Sequence, residues 1–185
     1  MRVISGEYKG RRLKAPKGIR TRPTTDRVKE AIFNTLAPIL KNCHSFLDLF
    51  AGSGAIGIEA LSRGVNRCIF VENWSGALKI LRENLKICSN KEIIIYPIDV
   101  NSALEKIQNE RFDIIFMDPP YNMPNIIPLL KKIDTVVQPD GIVVLEASTK
   151  NDYPQSIENL TCIKTSRYGD TQVLYFKKVE DFRGG

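Results

Sequence analysis

Residues 118–121 read Asp-Pro-Pro-Tyr and end the apolar run "FDIIFM" at 112–117. These residue types do not continue a strand, yet they suit one kind of chemistry. The exocyclic amine of a base is a poor nucleophile because its lone pair is delocalised into the ring. Acceptors that hold its N–H bonds favour a pyramidal nitrogen and aim the lone pair. Asp118 offers a carboxylate acceptor. The prolines fix φ and carry no N–H, so the Pro119 carbonyl can face the same amine without a competing local donor. Tyr121 adds a π-face for stacking, worth about 1–3 kcal/mol per base. The alternative is a proline-rich turn with a helix-capping acid.

Upstream, "DLFAGSGAIGIEA" passes from a strand into a helix, and Gly52-x-Gly54-x-x-Gly57 matches the dinucleotide fingerprint. Glycines permit a tight turn, and a helix N-terminus offers N–H groups. Glu72 ends the next strand about 20 residues later, where a carboxylate can hold ribose hydroxyls. NAD and S-adenosylmethionine both carry an adenosine, so Glu72 does not separate them. Asp48 does: a carboxylate repels a pyrophosphate but attracts a sulfonium that also bears an ammonium group. Asp99, after the third strand in "IYPIDV", either accepts from an adenine amino group or caps the following helix. S-adenosylmethionine explains the loop better than a nicotinamide cofactor.

Such residues need a frame. "SFLDLF" (45–50), "RCIFVE" (67–72), "EIIIYPI" (92–98), "FDIIFM" (112–117) and "GIVVLEA" (141–147) read as buried parallel strands. Helical periodicity fills 55–63, 74–88, 101–109 and about 124–134, which implies βαβ units with helices on both faces. Ligands bind beyond the carboxyl ends of such strands, where the glycine loop, Glu72, Asp99 and Asp118 all fall. "RPTTDRVKEAIFNTL" opens an earlier helix with Thr25 or Asp26 as N-cap and Val28, Ile32, Phe33 and Leu36 on one face. The first 20 residues suggest a β-hairpin or extended arm. "LTCIKTSRY" and "TQVLYFKK", joined at Gly169-Asp170, suggest an antiparallel hairpin at the sheet edge.

A length of 185 residues, 43% hydrophobic and 26% charged, fits one globular domain. No signal peptide and no apolar run of about 18 residues is apparent, so a cytoplasmic protein without a membrane segment is expected. The four cysteines lack C-x-x-C spacing and read as buried free thiols; with one histidine, His44, neither a metal site nor a triad is expected. Residues 1–30 hold ten basic side chains and three acids, a net +7, whereas the whole chain carries +6. The excess is therefore an N-terminal footprint suited to a polyanion, with Arg11, Arg12 and Lys14 as phosphate contacts.

"VISGEYKGRRL", "RPTTDRVKEAIFN", "FLDLFAGSGAIGIEALSRG", "FVEN", "DIIFMDPPY" and "RYGDTQVLYF" together resemble the class I S-adenosylmethionine-dependent methyltransferases that modify amino nitrogens. More closely, residues 1–178 resemble the bacterial 16S ribosomal RNA guanine-N2 methyltransferases of the RsmD type. The resemblance implies an α/β, Rossmann-like fold, with a seven-stranded, mostly parallel sheet and an antiparallel last strand. A basic arm over 1–20, a methyltransferase domain over 21–178 and a tail over 179–185 are expected. The resemblance further implies cofactor contacts from Arg22, Thr24, Thr25, Asp48, Gly52, Gly54, Glu72 and Asp99, and a guanine site from Asp118, Pro119 and Tyr121. Its substrate would be 16S rRNA, naked or within a small-subunit or assembly particle, with no metal and a monomeric enzyme. Trp74 departs from the pattern, which leads one to expect a polar or charged residue there. Three rivals have less support. A DNA methyltransferase usually inserts a recognition domain, and Gly57 to Asp118 leaves room only for ordinary βα units. An NAD(P)-dependent oxidoreductase is favoured only by the glycines, and a non-catalytic RNA-binding module only by the arm.

Overall fold

Apolar strands that lack polar alternation are stable only where both sheet faces are covered, and here both are. The computed structural model describes residues 1–15, 25–120, 123 and 125–179. The strands are β1 (Ser45–Leu49), β2 (Arg67–Val71), β3 (Glu92–Tyr96), β4 (Phe112–Met117), β5 (Val137–Ser148), β6 (Ser156–Ile157), β7 (Leu160–Tyr168) and β8 (Thr171–Lys178). They form one sheet in the order β3-β2-β1-β4-β5-β8-β7-β6. Strands β1 to β5 pair in parallel, and β8 runs antiparallel between β5 and β7.

The helices are α1 (Asp26–Leu40), α2 (Ala55–Ser62), α3 (Ser75–Asn84), α4 (Val100–Lys106) and α5 (Ile127–Asp134). Successive strand residues point to opposite layers. Phe46, Ile114, Phe116 and Val144 pack with Ile32, Phe33, Ile58 and Leu81 of α1 to α3. Leu47, Leu49, Ile115 and Met117 pack with Leu104 of α4 and Leu130 and Ile133 of α5. Asp48 lies between Leu47 and Leu49, so the alternation turns it towards the α1–α3 layer. Thr25 caps α1, its hydroxyl accepting from the Val28 N–H at 3.3 Å.

Three expectations are refined. The seven long strands have the expected directions, but a two-residue strand, β6, adds an eighth among the described residues. The hairpin at Gly169 forms, yet only β7 lies towards the edge, because β8 inserts beside β5. β3 stops at Tyr96, before Pro97, whose ring nitrogen has no proton for a ladder bond. The proposed boundary at residues 20 and 21 and most of the expected tail lie outside the described residues.

The N-terminal residues of the expected hairpin or arm are docked on the domain. Arg2 and Arg12 form an antiparallel bridge, and Val3, Tyr8 and Leu13 are buried in the α1–α3 layer. The fully buried carboxylate of Glu59 on α2 accepts from the Ile4 N–H at 2.8 Å and the Ser5 N–H at 3.0 Å. The same carboxylate meets Lys29 Nζ at 3.4 Å and Arg63 Nε at 2.8 Å. Lys29, itself buried, also donates to the Arg2 carbonyl at 2.5 Å. Burial pulls the Lys29 pKa down, and the Glu59 charge opposes that fall. Removing one member of such a group strands the others in a low dielectric. Glu59→Gln is therefore expected to lower the unfolding free energy by about 3 kcal/mol, measured by urea denaturation. The amides of Ile4 and Ser5 should lose hydrogen-exchange protection; unchanged protection would refute this attachment.

Candidate active site

The carboxyl ends of β1, β2, β4 and β5 converge on one edge of the sheet. β1 ends at Leu49, and Phe50 turns the chain with a φ of 62°. A non-glycine residue there costs on the order of 1–2 kcal/mol. Such strain collects where a backbone must be aimed. Gly54 then starts α2 at a φ of 78°, where a Cβ would run into Leu81. Gly57 serves packing instead. A Cβ there would meet Phe70 and Cys68 of β2, so its absence lets α2 lie close on the sheet.

The N–H groups of this loop are used within the protein. Gly52 donates to Glu72 Oε2 at 2.8 Å and Gly54 to the Ala51 carbonyl at 2.7 Å. Gly57, in the first turn of α2, donates to Asp48 Oδ2 at 2.9 Å. Gly54 has no side chain to cap the helix, and Asp48 supplies the missing acceptor from β1. Asp48 is 1% exposed. Burial pushes its pKa up to about 7; the Gly57 hydrogen bond opposes the rise and the Glu72 charge adds to it. Glu72 uses both oxygens, since Oε1 accepts from the Trp74 N–H at 2.8 Å and so ties the loop to the start of α3. Each oxygen retains a lone pair for a further donor. Trp74 occupies the N-cap position of α3.

Asp118 follows β4 directly. Met117 and Leu145 are register partners, so Asp118 and Glu146 come next, side by side on neighbouring strands. Alternation turns both towards the layer of Phe116 and Val144, the side of Asp48. Burial raises the Asp118 pKa well above the usual carboxylate range, with further increments from Glu146 and Asp48. Pro119 borders a cavity of about 530 Å³ shared with Asn125, Ala147 and Tyr153.

Other sequence candidates have different surroundings. Asp99 caps α4, accepting from the Asn101 N–H at 3.0 Å, the Ser102 N–H at 3.1 Å and the Ser102 hydroxyl at 2.6 Å. Those Ser102 bonds lower its pKa. The capping alternative thus describes its contacts. Thr25 caps α1 and lines a cleft with Glu146. Arg11, Arg12 and Lys14 are exposed on the docked segment, and Lys14 is paired with Glu83. Arg22, Thr24 and Tyr121 lie outside the described residues. Cys43, Cys68 and Cys88 are buried and Cys162 half-buried, all as free thiols. Sequence reasoning missed Glu146 and Phe50. An acid inside the apolar run "GIVVLEA" was a signal for the first; nothing local marks the second.

This sheet order, with a glycine loop after β1, an acid after β2 and Asp-Pro-Pro after β4, defines a class I methyltransferase fold. A solved structure described as "Putative methyltransferase yhhF from Escherichia coli" aligns with a TM-score of 0.84 at 28% identity, over 97% of this chain and 98% of that one. The family model "Conserved hypothetical protein 95" matches residues 1–177. "Putative rRNA methyltransferase YlbH" of Bacillus subtilis (strain 168) is 43% identical over 183 residues, covering 96% of this chain and 99% of the relative. Ribosomal RNA small subunit methyltransferase D of Haemophilus influenzae is 34% identical over 176 residues, or 91% and 89% of the two chains. The chain belongs to this family, the RsmD type.

Asp48 makes a prediction about stability. Its folded pKa of about 7 lies above the ordinary 3.8, so the folded protein binds this proton more tightly than the unfolded chain. Its ionisation costs nothing below about pH 4 and costs stability progressively as pH rises towards 7. Asp48→Asn keeps the shape and an acceptor for Gly57 but removes the charge. Its melting temperature, by calorimetry on the free protein, should exceed that of the wild type at pH 8 and converge with it near pH 4. A lower value at pH 8 would mean that the charge itself stabilises the fold.

Proposed function

We propose that this chain transfers a methyl group from S-adenosylmethionine to the exocyclic N2 of a guanine in 16S ribosomal RNA. The proposed setting is the cytoplasm, on RNA that is free or already within a small-subunit particle. Names of the relatives support the RNA substrate. One observation carries the choice of cofactor: Asp48, Asp118 and Glu146 crowd one side of the strand ends, where burial raises the pKa of both aspartates, with Glu72 adding to the rise at Asp48 and Glu146 and Asp48 to that at Asp118. Such a field suits a cation and repels a pyrophosphate. The internal use of the Gly52 and Gly54 N–H groups also disfavours a phosphate cradle.

S-adenosylmethionine, when bound, supplies an electrophilic methyl carbon on a sulfonium. Glu72 would hold the ribose hydroxyls with its remaining lone pairs, and Asp99 would face the adenine end. Arg22, Thr24, Thr25, Gly52 and Gly54 would complete the cofactor contacts. Asp48 would act through its charge, since it is buried against Gly57. Asp118 gives up its proton more readily once a cation lies nearby, and it then becomes an acceptor for the target amine. With the Pro119 carbonyl it holds the two N–H bonds and turns the lone pair out of the ring plane. Tyr121 supplies the stacking face. When the nitrogen has gained the methyl group it sheds a proton, which Asp118 takes. Arg11 and Arg12 contact RNA phosphates, whereas the pairing with Glu83 blunts the contribution of Lys14.

The test is single-turnover transfer to unmodified 16S RNA, free and in small-subunit particles, with the modified nucleoside identified by mass spectrometry. N2-methylguanosine is expected. Asp118→Asn should slow the chemical step on the order of 10²–10³-fold. Its cofactor affinity should change far less. The wild-type rate should fall on acidification, because protonated Asp118 loses its acceptor role. Asp118→Asn should lack that limb. Wild-type rates in this variant, or a different methylated nucleoside, would overturn the mechanism.

A further inference from the structure

A second cleft opens beside the catalytic edge, between the N-terminus of α1 and the β7–β8 hairpin. It encloses about 290 Å³ and is lined by Thr25, Arg27, Glu146, Arg167, Tyr168 and Thr171. Arg27 and Arg167 come from elements far apart in sequence, and both are exposed. Among the described residues neither guanidinium forms an ion pair, whereas Arg2, Arg63 and Arg67 are each paired with an acid. Tyr168 is half-buried against the core, which gives its ring a firm seat. Thr25 and Thr171 add hydroxyls.

Glu146 makes the cleft unlike a simple anion site. It is 7% exposed and sits in register beside Asp118, so the cleft reaches the residue proposed to act on the amine. A carboxylate has about four lone-pair sites, so Glu146 can accept from a ligand donor besides its partner within the protein. The complementary ligand carries negative charge towards the two arginines and N–H or O–H donors towards Glu146. A ribonucleotide within a chain has this polarity, with a phosphate at one side and a 2′-hydroxyl and base N–H groups at the other. Arginine matches phosphate geometry through two parallel donors.

We propose that this cleft is a second nucleotide subsite, which seats an RNA residue flanking the target base with its phosphate on Arg27 and Arg167. It rests on the RNA methyltransferase reading above and extends the RNA surface from the N-terminal segment to the β7–β8 hairpin. The subsite holds the strand beside Asp118 and takes no part in the transfer itself. Arg27 and Arg167 are thus positioning residues, and their effect belongs in RNA capture.

The experiment compares the wild-type protein with Arg27→Ala/Arg167→Ala and Arg27→Lys/Arg167→Lys, using unmodified 16S RNA. Arg111→Ala, an exposed arginine before β4 at the opposite end of the sheet, controls for net charge. The double alanine variant should raise KM for RNA about tenfold while leaving kcat within about twofold and the S-adenosylmethionine Kd unchanged. Its plot of log affinity against log salt should become shallower by roughly 0.7, the value for the one single-strand phosphate contact that is lost. The double lysine variant should regain the slope, and Arg111→Ala should keep it. An unchanged KM and slope in the double alanine variant, or an equal loss in Arg111→Ala, overturns the subsite alone. A wild type that methylates no RNA overturns the proposed function and the subsite with it.

Discussion

One hydrogen bond, from the Gly57 N–H to Asp48, links the strand that carries the site to the helix that carries the N-terminal segment. α2 starts at a glycine and has no side-chain cap of its own. The carboxylate from β1 meets its first turn and sets how the helix leaves the sheet. Further along the same helix, Glu59 and Ser62 receive the backbone N–H groups of Ile4, Ser5 and Tyr8, and the Ser62 carbonyl receives that of Glu7. The placement of the basic face thus depends on a bond made at the end of β1. The absent Cβ at Gly57 serves the same end, because α2 could not otherwise lie on β2.

The same carboxylate makes the site costly. Asp48 and Asp118 both sit above their ordinary pKa, chiefly through burial, and Phe50 adds backbone strain within two residues of Asp48. None of these features stabilises the free protein. Acids held this way favour a cationic ligand, which draws protons off them as it binds and so couples its own affinity to pH. Local instability of this kind is expected where a fold is shaped for its ligand rather than for itself. The buried group of Lys29, Glu59 and Arg63 lies on the same face of the sheet, but there two cations meet one carboxylate, so opposite charges face each other.

The sequence by itself determined the elements and their class. Apolar runs of strand length, helical periodicity between them and an N-cap at Thr25 are local signals, and local signals survive without coordinates. Glu72, Asp99 and Asp118 could be placed at strand ends because an α/β sheet puts every such end on one edge. A cationic cofactor could be inferred at that level as well, since an acid before the glycine loop is a matter of charge sign and not of distance.

Tertiary structure decided the rest, because it depends on which residues far apart in sequence become neighbours. That Asp99 is occupied as a helix cap, that the N-terminal segment is docked by Glu59, and that β8 lies between β5 and β7 all follow from long-range packing. Glu146 is the clearest case: in the sequence it is one acid in an apolar strand, and only the β4–β5 register sets it beside Asp118. Arg27 and Arg167 lie 140 positions apart in the chain and meet only across a cleft. Periodicity and residue type report what a segment can do; pairing register and packing decide what stands next to it.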